Sequence, residues 1–285
     1  MLFLVRATAG CSLRFLHGLG SALGWLGYAL SPSYRRRLQA NAALAGLSAA
    51  QRRASVGEAG RLVMELPRLW LRPRDQRIND PVCWEGSELL EALLARGKGL
   101  VLLTPHMGSF EVSAQAYVAR FGGKQPMTAL FRPARQAWLR ELEETARARP
   151  ALATAPADFS GVRLMLRALK RGETVGLLPD QVPPEGQGIW VPFFGQPAYT
   201  MTLAARLIQQ TGAAVALLCT ERLPRGAGYV VRALPLPFAL PAKAGDDEAA
   251  ALAINRSMEV VIRRQPTQYL WGYHRYKAPR GAAAA

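Results

Sequence analysis

Hydrophobic residues follow two different patterns along the chain, and the pattern changes near residue 99. Before that point, apolar positions recur at steps of three and four, as at Leu62, Leu66 and Leu69, which predicts helices. From residue 99 onward, short continuous apolar runs alternate with segments of helical period. Such runs are typical of strands that are covered on both faces. The alternation predicts an α/β fold with a largely parallel central sheet flanked by helices.

The same patterns give approximate limits for the elements of this domain. Strands are predicted over 99–104, 126–131, 174–178, 213–220 and 229–234, with a short apolar run over 269–271. Helices are predicted over 111–120, 138–147, 161–170, 200–210 and 249–264. In open α/β sheets, ligands bind beyond the carboxyl ends of the strands. Polar residues that follow these strands are therefore the first candidates for a functional site.

The N-terminal segment 11–30 is almost wholly apolar and predicts a helix. Twenty helical residues span roughly 30 Å, about the thickness of a bilayer core. Gly20 and Gly24 allow close approach of another helix, and Ser31–Pro32 ends the segment. We expect a membrane-anchoring helix that either spans the bilayer or lies in its interface. A buried helix of a soluble body and a cleaved signal peptide are the alternatives.

Composition and charge narrow the class of protein. The 285 residues include 36 Lys+Arg and 20 Asp+Glu, a formal net charge of +16, and half are hydrophobic. This composition excludes a largely disordered or collagen-like chain. The positive charge favours anionic partners, and three arginines at 35–37 indicate anionic headgroups on the cytoplasmic side of a membrane. We expect a membrane-anchoring helix over 1–32, a basic helical segment over 33–98, and the α/β domain over 99–285.

Cysteine and histidine give no sign of a metal centre or of a disulfide framework. Cys11, Cys83 and Cys219 are far apart and form no CxxC pair, and the three histidines are scattered. The sequence contains no helix-turn-helix, zinc or RNA-binding signature. We therefore expect no metal, no cofactor and no nucleic-acid partner.

The most informative stretch is LLTPHMGSFE at residues 102–111. The strand predicted before it delivers His106 to the carboxyl edge of the sheet, where Gly108 permits a tight turn. Glu111, in the first turn of the next helix, can then reach back to one ring nitrogen and fix the tautomer. The other nitrogen is free to take a proton from a substrate hydroxyl, as in a catalytic triad without its serine. The alternative is a turn histidine that is satisfied by the backbone.

Several further motifs accompany this stretch. They are FRP at 131–133, Arg147 and Arg149, PDQ at 179–181, VPFFGQPAYT at 191–200, and QYLWGYHRYK at 268–277. Together with the N-terminal helix and residues 106–111, they resemble the late acyltransferases of lipid A biosynthesis, the lauroyl and myristoyl transferases of the lysophospholipid acyltransferase superfamily. The resemblance covers nearly the whole chain. It departs from the family pattern at Phe110, where Trp is common, and at Gly272–Tyr273, which interrupts the usual ending.

The resemblance implies a glycerolphosphate acyltransferase-like fold and a reaction. A fatty acyl chain would pass from acyl–acyl carrier protein to a hydroxyl of a lipid A precursor, at the cytoplasmic face of the inner membrane, in lipopolysaccharide biosynthesis. His106 would be the general base and Glu111 its orienting partner, with no covalent enzyme intermediate. The residues that would bind substrate are Arg132, Arg147, Arg149 and Asp180. Donors to the oxyanion would be backbone N–H groups after His106 or a nearby arginine.

Two other functions stay open at this point. A glycerophospholipid or ornithine-lipid acyltransferase would keep the same motifs and the same relation to the membrane, and would differ only in its acceptor pocket. A non-catalytic basic protein that binds membranes or nucleic acid would also account for the charge. It predicts binding that weakens steeply with salt.

Overall fold

The structure of the chain is a computed structural model that describes residues 7–131, 136, 140, 142–143, 147, 149–241 and 245–279. The helices are α1 (Leu13–Leu30), α2 (Pro32–Leu44), α3 (Ala49–Trp70), α4 (Ser87–Leu94), α5 (Phe110–Phe121), α6 (Phe159–Lys170), α7 (Leu203–Thr211) and α8 (Asp247–Arg264). The strands are β1 (Val82–Glu85), β2 (Leu100–Leu103), β3 (Met127–Phe131), β4 (Leu152–Pro156), β5 (Thr174–Leu177), β6 (Gly188–Phe193), β7 (Gln196–Met201), β8 (Ala214–Arg222) and β9 (Tyr229–Leu234). Short 3-10 turns lie at Pro224–Gly226 and Pro266–Gln268.

Seven of the described strands form one central sheet in the order β1-β9-β8-β2-β5-β3-β4. Every neighbouring pair is parallel except β8 and β9, which are antiparallel. The remaining two strands, β6 and β7, form a separate antiparallel hairpin. The predicted α/β class with a largely parallel sheet flanked by helices is therefore confirmed.

The central strands are buried because helices cover both faces of the sheet. Every residue of β2 and β5 is buried, as their continuous apolar runs predict. Val101 and Leu103 face a core cluster supplied by α6, α7 and α8, whereas Leu100 and Leu102 face a second cluster supplied by α3, α4 and α5. The central strands, including their carboxyl ends, are thus held between two layers of packed helices.

Four strands, β1, β4, β6 and β7, were not expected from the sequence. β1 and β4 are short edge strands whose residues are partly exposed, so neither has a continuous apolar run. In the β6–β7 hairpin, Pro192 stands opposite Pro197. Proline weakens a strand signal because it cannot donate to the ladder. The segment 191–200, for which the sequence predicts no strand, forms most of this hairpin.

The N-terminal apolar segment forms α1, which packs along α3. The buried residues of α1 are Leu13, Leu16, His17 and Gly20. The two backbones lie so close that a Cβ on Gly20 would come within 2.7 Å of the carbonyl oxygen of Gly60. Among the described residues, no helix combines the length and the apolar character needed to cross a membrane. The spanning form of the predicted anchor therefore has no support in the structure.

Candidate active site

His106 lies at the carboxyl edge of the sheet, in the loop between β2 and α5. β2 and β5 are parallel neighbours, and Leu103 stands opposite Leu177. The pairing continues for one more step, because the N–H of Thr104 donates to the carbonyl oxygen of Leu177 at 3.0 Å. Residues three places beyond the two strand ends therefore emerge side by side. These residues are His106 and Asp180.

Asp180 binds both the ring and the backbone of His106. One carboxylate oxygen lies 2.7 Å from Nδ1, and the other accepts the backbone N–H of His106 at 2.8 Å. Burial acts to raise the pKa of Asp180, but the charge and hydrogen bonds of His106, with the charge of Arg275, outweigh it and leave the pKa below its ordinary value. An ionised Asp180 accepts the proton on Nδ1. The lone pair of Nε2 is then free to accept a proton.

Glu111 does not make the contact with His106 that the sequence predicts. Its side chain is buried in the first turn of α5 and pairs with Arg147. The strand register brings Asp180 to Nδ1, and the buried carboxylate of Glu111 is instead compensated by a guanidinium, as a buried charge requires. The histidine–carboxylate pair is thus present, but with Asp180 in the position that we expected for Glu111.

Arg147 is fixed between Glu111 and two aromatic rings. Its guanidinium carbon lies 4.4 Å from the ring centroid of Phe131 and 5.7 Å from that of Trp70. Nη2 donates to Glu111. Nη1 is buried, has no hydrogen-bond partner among the described atoms, and lies 3.8 Å from a carboxylate oxygen of Glu143. The guanidinium of Arg147 is therefore held between the carboxylates of Glu111 and Glu143.

His106, Glu111 and Arg147 line one cavity of about 850 Å³. The residues that line the cavity come mainly from α5, β3, β4, α6, α7 and the segment 178–187. This volume is typical of sites that bind small molecules. Most of the lining side chains are apolar, so the cavity suits a long apolar ligand whose reacting group meets the histidine.

Comparison with known proteins decides the family. The sequence model for bacterial lipid A biosynthesis acyltransferases matches residues 1–278. The chain belongs to the bacterial lipid A biosynthesis acyltransferase family. One similar protein is the lipid A biosynthesis lauroyltransferase of Escherichia coli, 29% identical over 221 residues that cover 77% of this chain and 69% of that protein. Another is the myristoyltransferase of the same organism, 26% identical over 282 residues that cover 94% of this chain and 83% of that protein.

Membership of the family confirms the resemblance drawn from the motifs, and it makes the chain an acyltransferase. The lipid A biosynthesis palmitoleoyltransferase of E. coli is similar as well, 27% identical over 219 residues that cover 76% of this chain and 68% of that protein. The cavity that contains His106 is therefore the candidate active site of the acyltransferase.

The resemblance also places Arg149 and Arg132 of this acyltransferase at the substrate. Arg149 is buried and does not line the cavity, since its guanidinium donates to the carbonyl oxygens of Leu69 and Pro73, each at 2.9 Å. The end of α3 leaves such carbonyls without partners in the helix. The structure thus gives Arg149 a structural role at that end, in place of the substrate contact that the resemblance implies. Arg132 lies outside the described residues.

The backbone N–H groups that directly follow His106 are already occupied. Those of Met107, Gly108 and Ser109 donate to the carbonyl oxygens of Pro105, Gln268 and Thr220 at 2.7, 3.0 and 2.9 Å. They are not free to donate to an oxyanion. The second kind of donor that the sequence suggests, an arginine, is present on the cavity wall as Arg147.

Two residues for which the sequence predicts no role stabilise the loop that carries His106. They are Arg222 and Gln268. Arg222, at the end of β8, donates from Nη1 to the carbonyl oxygen of Gly108 at 2.6 Å. The side chain of Gln268 bonds both the N–H and the carbonyl of Arg222, each at 2.9 Å. Gly108 has φ 57°, and a Cβ there would fall 1.7 Å from the carbonyl oxygen of Thr220. Gln268 begins the motif QYLWGYHRYK, so the sequence did point to this residue. No motif surrounds Arg222, so its contact with Gly108 could not be predicted from the sequence.

Proposed function

We propose that this acyltransferase moves a fatty acyl chain from an acyl–acyl carrier protein thioester to a hydroxyl of a lipid A precursor. The family supports acyl transfer in lipid A biosynthesis, and the similar proteins of E. coli are named for lauroyl, palmitoleoyl and myristoyl transfer. The observation that carries the proposal is the 2.7 Å contact between Nδ1 of His106 and a buried carboxylate, with the ring on the wall of an apolar cavity.

In the proposed mechanism, His106 is the general base. Asp180 holds the proton on Nδ1, so Nε2 takes the proton of the acceptor hydroxyl as its oxygen attacks the thioester carbon. When the tetrahedral intermediate collapses, the carbon–sulfur bond breaks, the ester remains, and His106 returns the proton to the departing sulfur. The acceptor is itself the nucleophile, so no enzyme side chain becomes acylated. Asp180 takes the orienting part that the sequence analysis gave to Glu111.

Arg147 supplies positive charge to the reaction. Arg147 lines the cavity, and we assign its guanidinium to the oxygen that becomes negative in the tetrahedral intermediate. Glu111 and the ring of Phe131 keep the guanidinium in one orientation, which makes its charge effective without rearrangement during the reaction. Glu111 therefore acts through Arg147 and is a positioning residue.

The exposed face of α1 supports a position at the cytoplasmic surface of the inner membrane. This face carries the exposed side chains of Phe15, Leu19, Leu23, Leu26 and Leu30. They recur at steps of three and four and therefore form one stripe along the helix. Arginines at 35–37 follow this face. An apolar helix face beside cations suits docking in the interface of an anionic membrane.

The proposal is tested with the purified protein in detergent micelles, given an acyl carrier protein thioester and a tetra-acylated lipid A precursor. Mass spectrometry scores the products of the wild type and of His106→Ala. We expect the wild type to acylate the precursor and the variant to lose at least about a hundredfold in kcat. Equal rates would exclude His106 as the base. Acylation of lysophosphatidic acid alone would replace the lipid A precursor by a glycerophospholipid acceptor.

A further inference from the structure

α6 presents three cations in one row on its surface. Arg163, Arg167 and Lys170 are all exposed and lie at steps of four and three, which places them on the same helix face. None of the three forms an ion pair with a residue that the structure describes. The nearby Glu173 is paired with Arg171. We call the three residues the α6 row.

The three like charges of the α6 row destabilise the helix. Like charges three and four residues apart repel each other, and α6 itself contains no acidic residue to offset them. The helix dipole favours Arg167 and Lys170 in the last turn but gives Arg163, one turn earlier, no such benefit. Leu164, beside the row, is 42% exposed. A row of unpaired cations beside an exposed apolar side chain fits a partner with an acidic surface.

The row begins at the candidate active site. Phe159 and Val162, in the first turn of α6, line the cavity, and Phe159 is 84% exposed. Phe159 lies four residues before Arg163, so it continues the face of the row to the cavity opening. A partner that docks along the row therefore has its end at the opening that leads to His106.

The row is also separate from the apolar face of α1. α6 packs on β3, β4 and β5, at one end of the sheet. α1 packs on α3 and on the turn Pro224–Gly226, which joins β8 to β9 toward the other end. The acyltransferase can therefore contact the membrane and a soluble protein at the same time, through different surfaces.

We propose that the α6 row docks the acidic surface of the acyl carrier protein. Arg163, Arg167 and Lys170 bind its carboxylates, Leu164 packs against its apolar contact residue, and the acyl-pantetheine arm enters the cavity past Phe159. This inference rests on the proposed function, because it requires a carrier-protein thioester as the acyl donor.

The test reverses the charge of the row, as Arg163→Glu, Arg167→Glu and Lys170→Glu together. A control, Arg53→Glu, Arg256→Glu and Arg264→Glu, changes three exposed cations on α3 and α8 by the same two charge units each. We expect the KM for the carrier-protein thioester to rise about tenfold or more in the row variant, with kcat retained. The control and the wild type should share one KM. With an acyl-pantetheine thioester as donor, all three proteins should react equally.

A second row variant removes the three charges without reversing them, as Arg163→Gln, Arg167→Gln and Lys170→Gln. We expect its KM to lie between those of the wild type and the reversed row. It replaces the reversed row in the test if charge reversal prevents folding. An unchanged KM in both row variants would overturn the proposal, and so would equal losses with both donors. If the row variants instead lose only binding to vesicles of phosphatidylglycerol and phosphatidylcholine, the row is a lipid surface. A wild type that transfers acyl groups from pantetheine but never from the carrier protein would refute the donor in the proposed function itself.

Discussion

Asp180 is joined to His106 at two points, through Nδ1 of the ring at 2.7 Å and through the backbone nitrogen at 2.8 Å. The two contacts fix the position of the loop and the orientation of the ring together. The carboxylate is buried, so water does not compete for these two contacts. The ring of His106 is therefore held in one orientation before any substrate enters.

The pH dependence of stability should reveal this pair. Burial raises the pKa of Asp180, but the charge and hydrogen bonds of His106 outweigh it, so the pKa in the folded protein is lowered. The stabilisation by Asp180 is then present above the ordinary carboxyl pKa of about 3.9 and is lost as the pH falls through the lower folded value. In urea unfolding, the wild type should therefore exceed Asp180→Asn in unfolding free energy at neutral pH. This difference should shrink below about pH 4, and a difference that grew in acid would contradict the assigned pair.

Arg147 and Arg149 should respond in opposite ways to the same conservative change. Arg147→Lys replaces the planar guanidinium at the cavity wall by an ammonium group, and we expect kcat to fall by about a hundredfold or more with little change in Tm. Arg149→Lys removes hydrogen bonds at the end of α3, and we expect a loss of about 1–3 kcal/mol in unfolding free energy with kcat retained. Steady-state kinetics and thermal unfolding of both variants check this. If only Arg149→Lys lost kcat, Arg149 and not Arg147 would be the arginine that serves the reaction.

The contact between α1 and α3 should depend on the absence of a side chain at Gly60. A Cβ there would lie 1.9 Å from the carbonyl oxygen of Gly20, so Gly60→Ala should cost about 1–3 kcal/mol in unfolding free energy. Gly27→Ala is the control, because no atom lies within 4 Å of a Cβ at Gly27 and alanine is the better helix former. Denaturant unfolding of the two variants should show opposite signs. Equal effects would mean that α1 and α3 do not pack as closely as described.

Much of this site could be predicted from local patterns. The apolar runs of β2 and β5 indicated buried strands, and His106 and Asp180 stood out because each follows one of these runs. What the pattern does not contain is the order of strands in the sheet. β5 lies between β2 and β3, although β3 and β4 come between β2 and β5 in the chain. Only this order makes Asp180, and not the nearer Glu111, the partner of His106.

The two arginines show the same limit. Arg147 and Arg149 are two residues apart and looked equivalent in the sequence. Their surroundings come from distant parts of the chain, since Arg147 meets Glu111 whereas Arg149 meets the end of α3 at Leu69. Contacts over such separations are decided by tertiary packing and not by local propensity.

The central claim is that Asp180 acts through His106, whereas Glu111 acts through Arg147. The most direct measurement is a double-mutant cycle on kcat/KM with His106→Ala, Asp180→Asn and Glu111→Gln. Asp180→Asn should be strongly deleterious in the wild type and nearly without effect once His106 is alanine, while Glu111→Gln should cost the same factor in both backgrounds. If Glu111→Gln lost its effect in the His106→Ala protein and Asp180→Asn kept its own, Glu111 would be the partner of the base and the present account would be wrong.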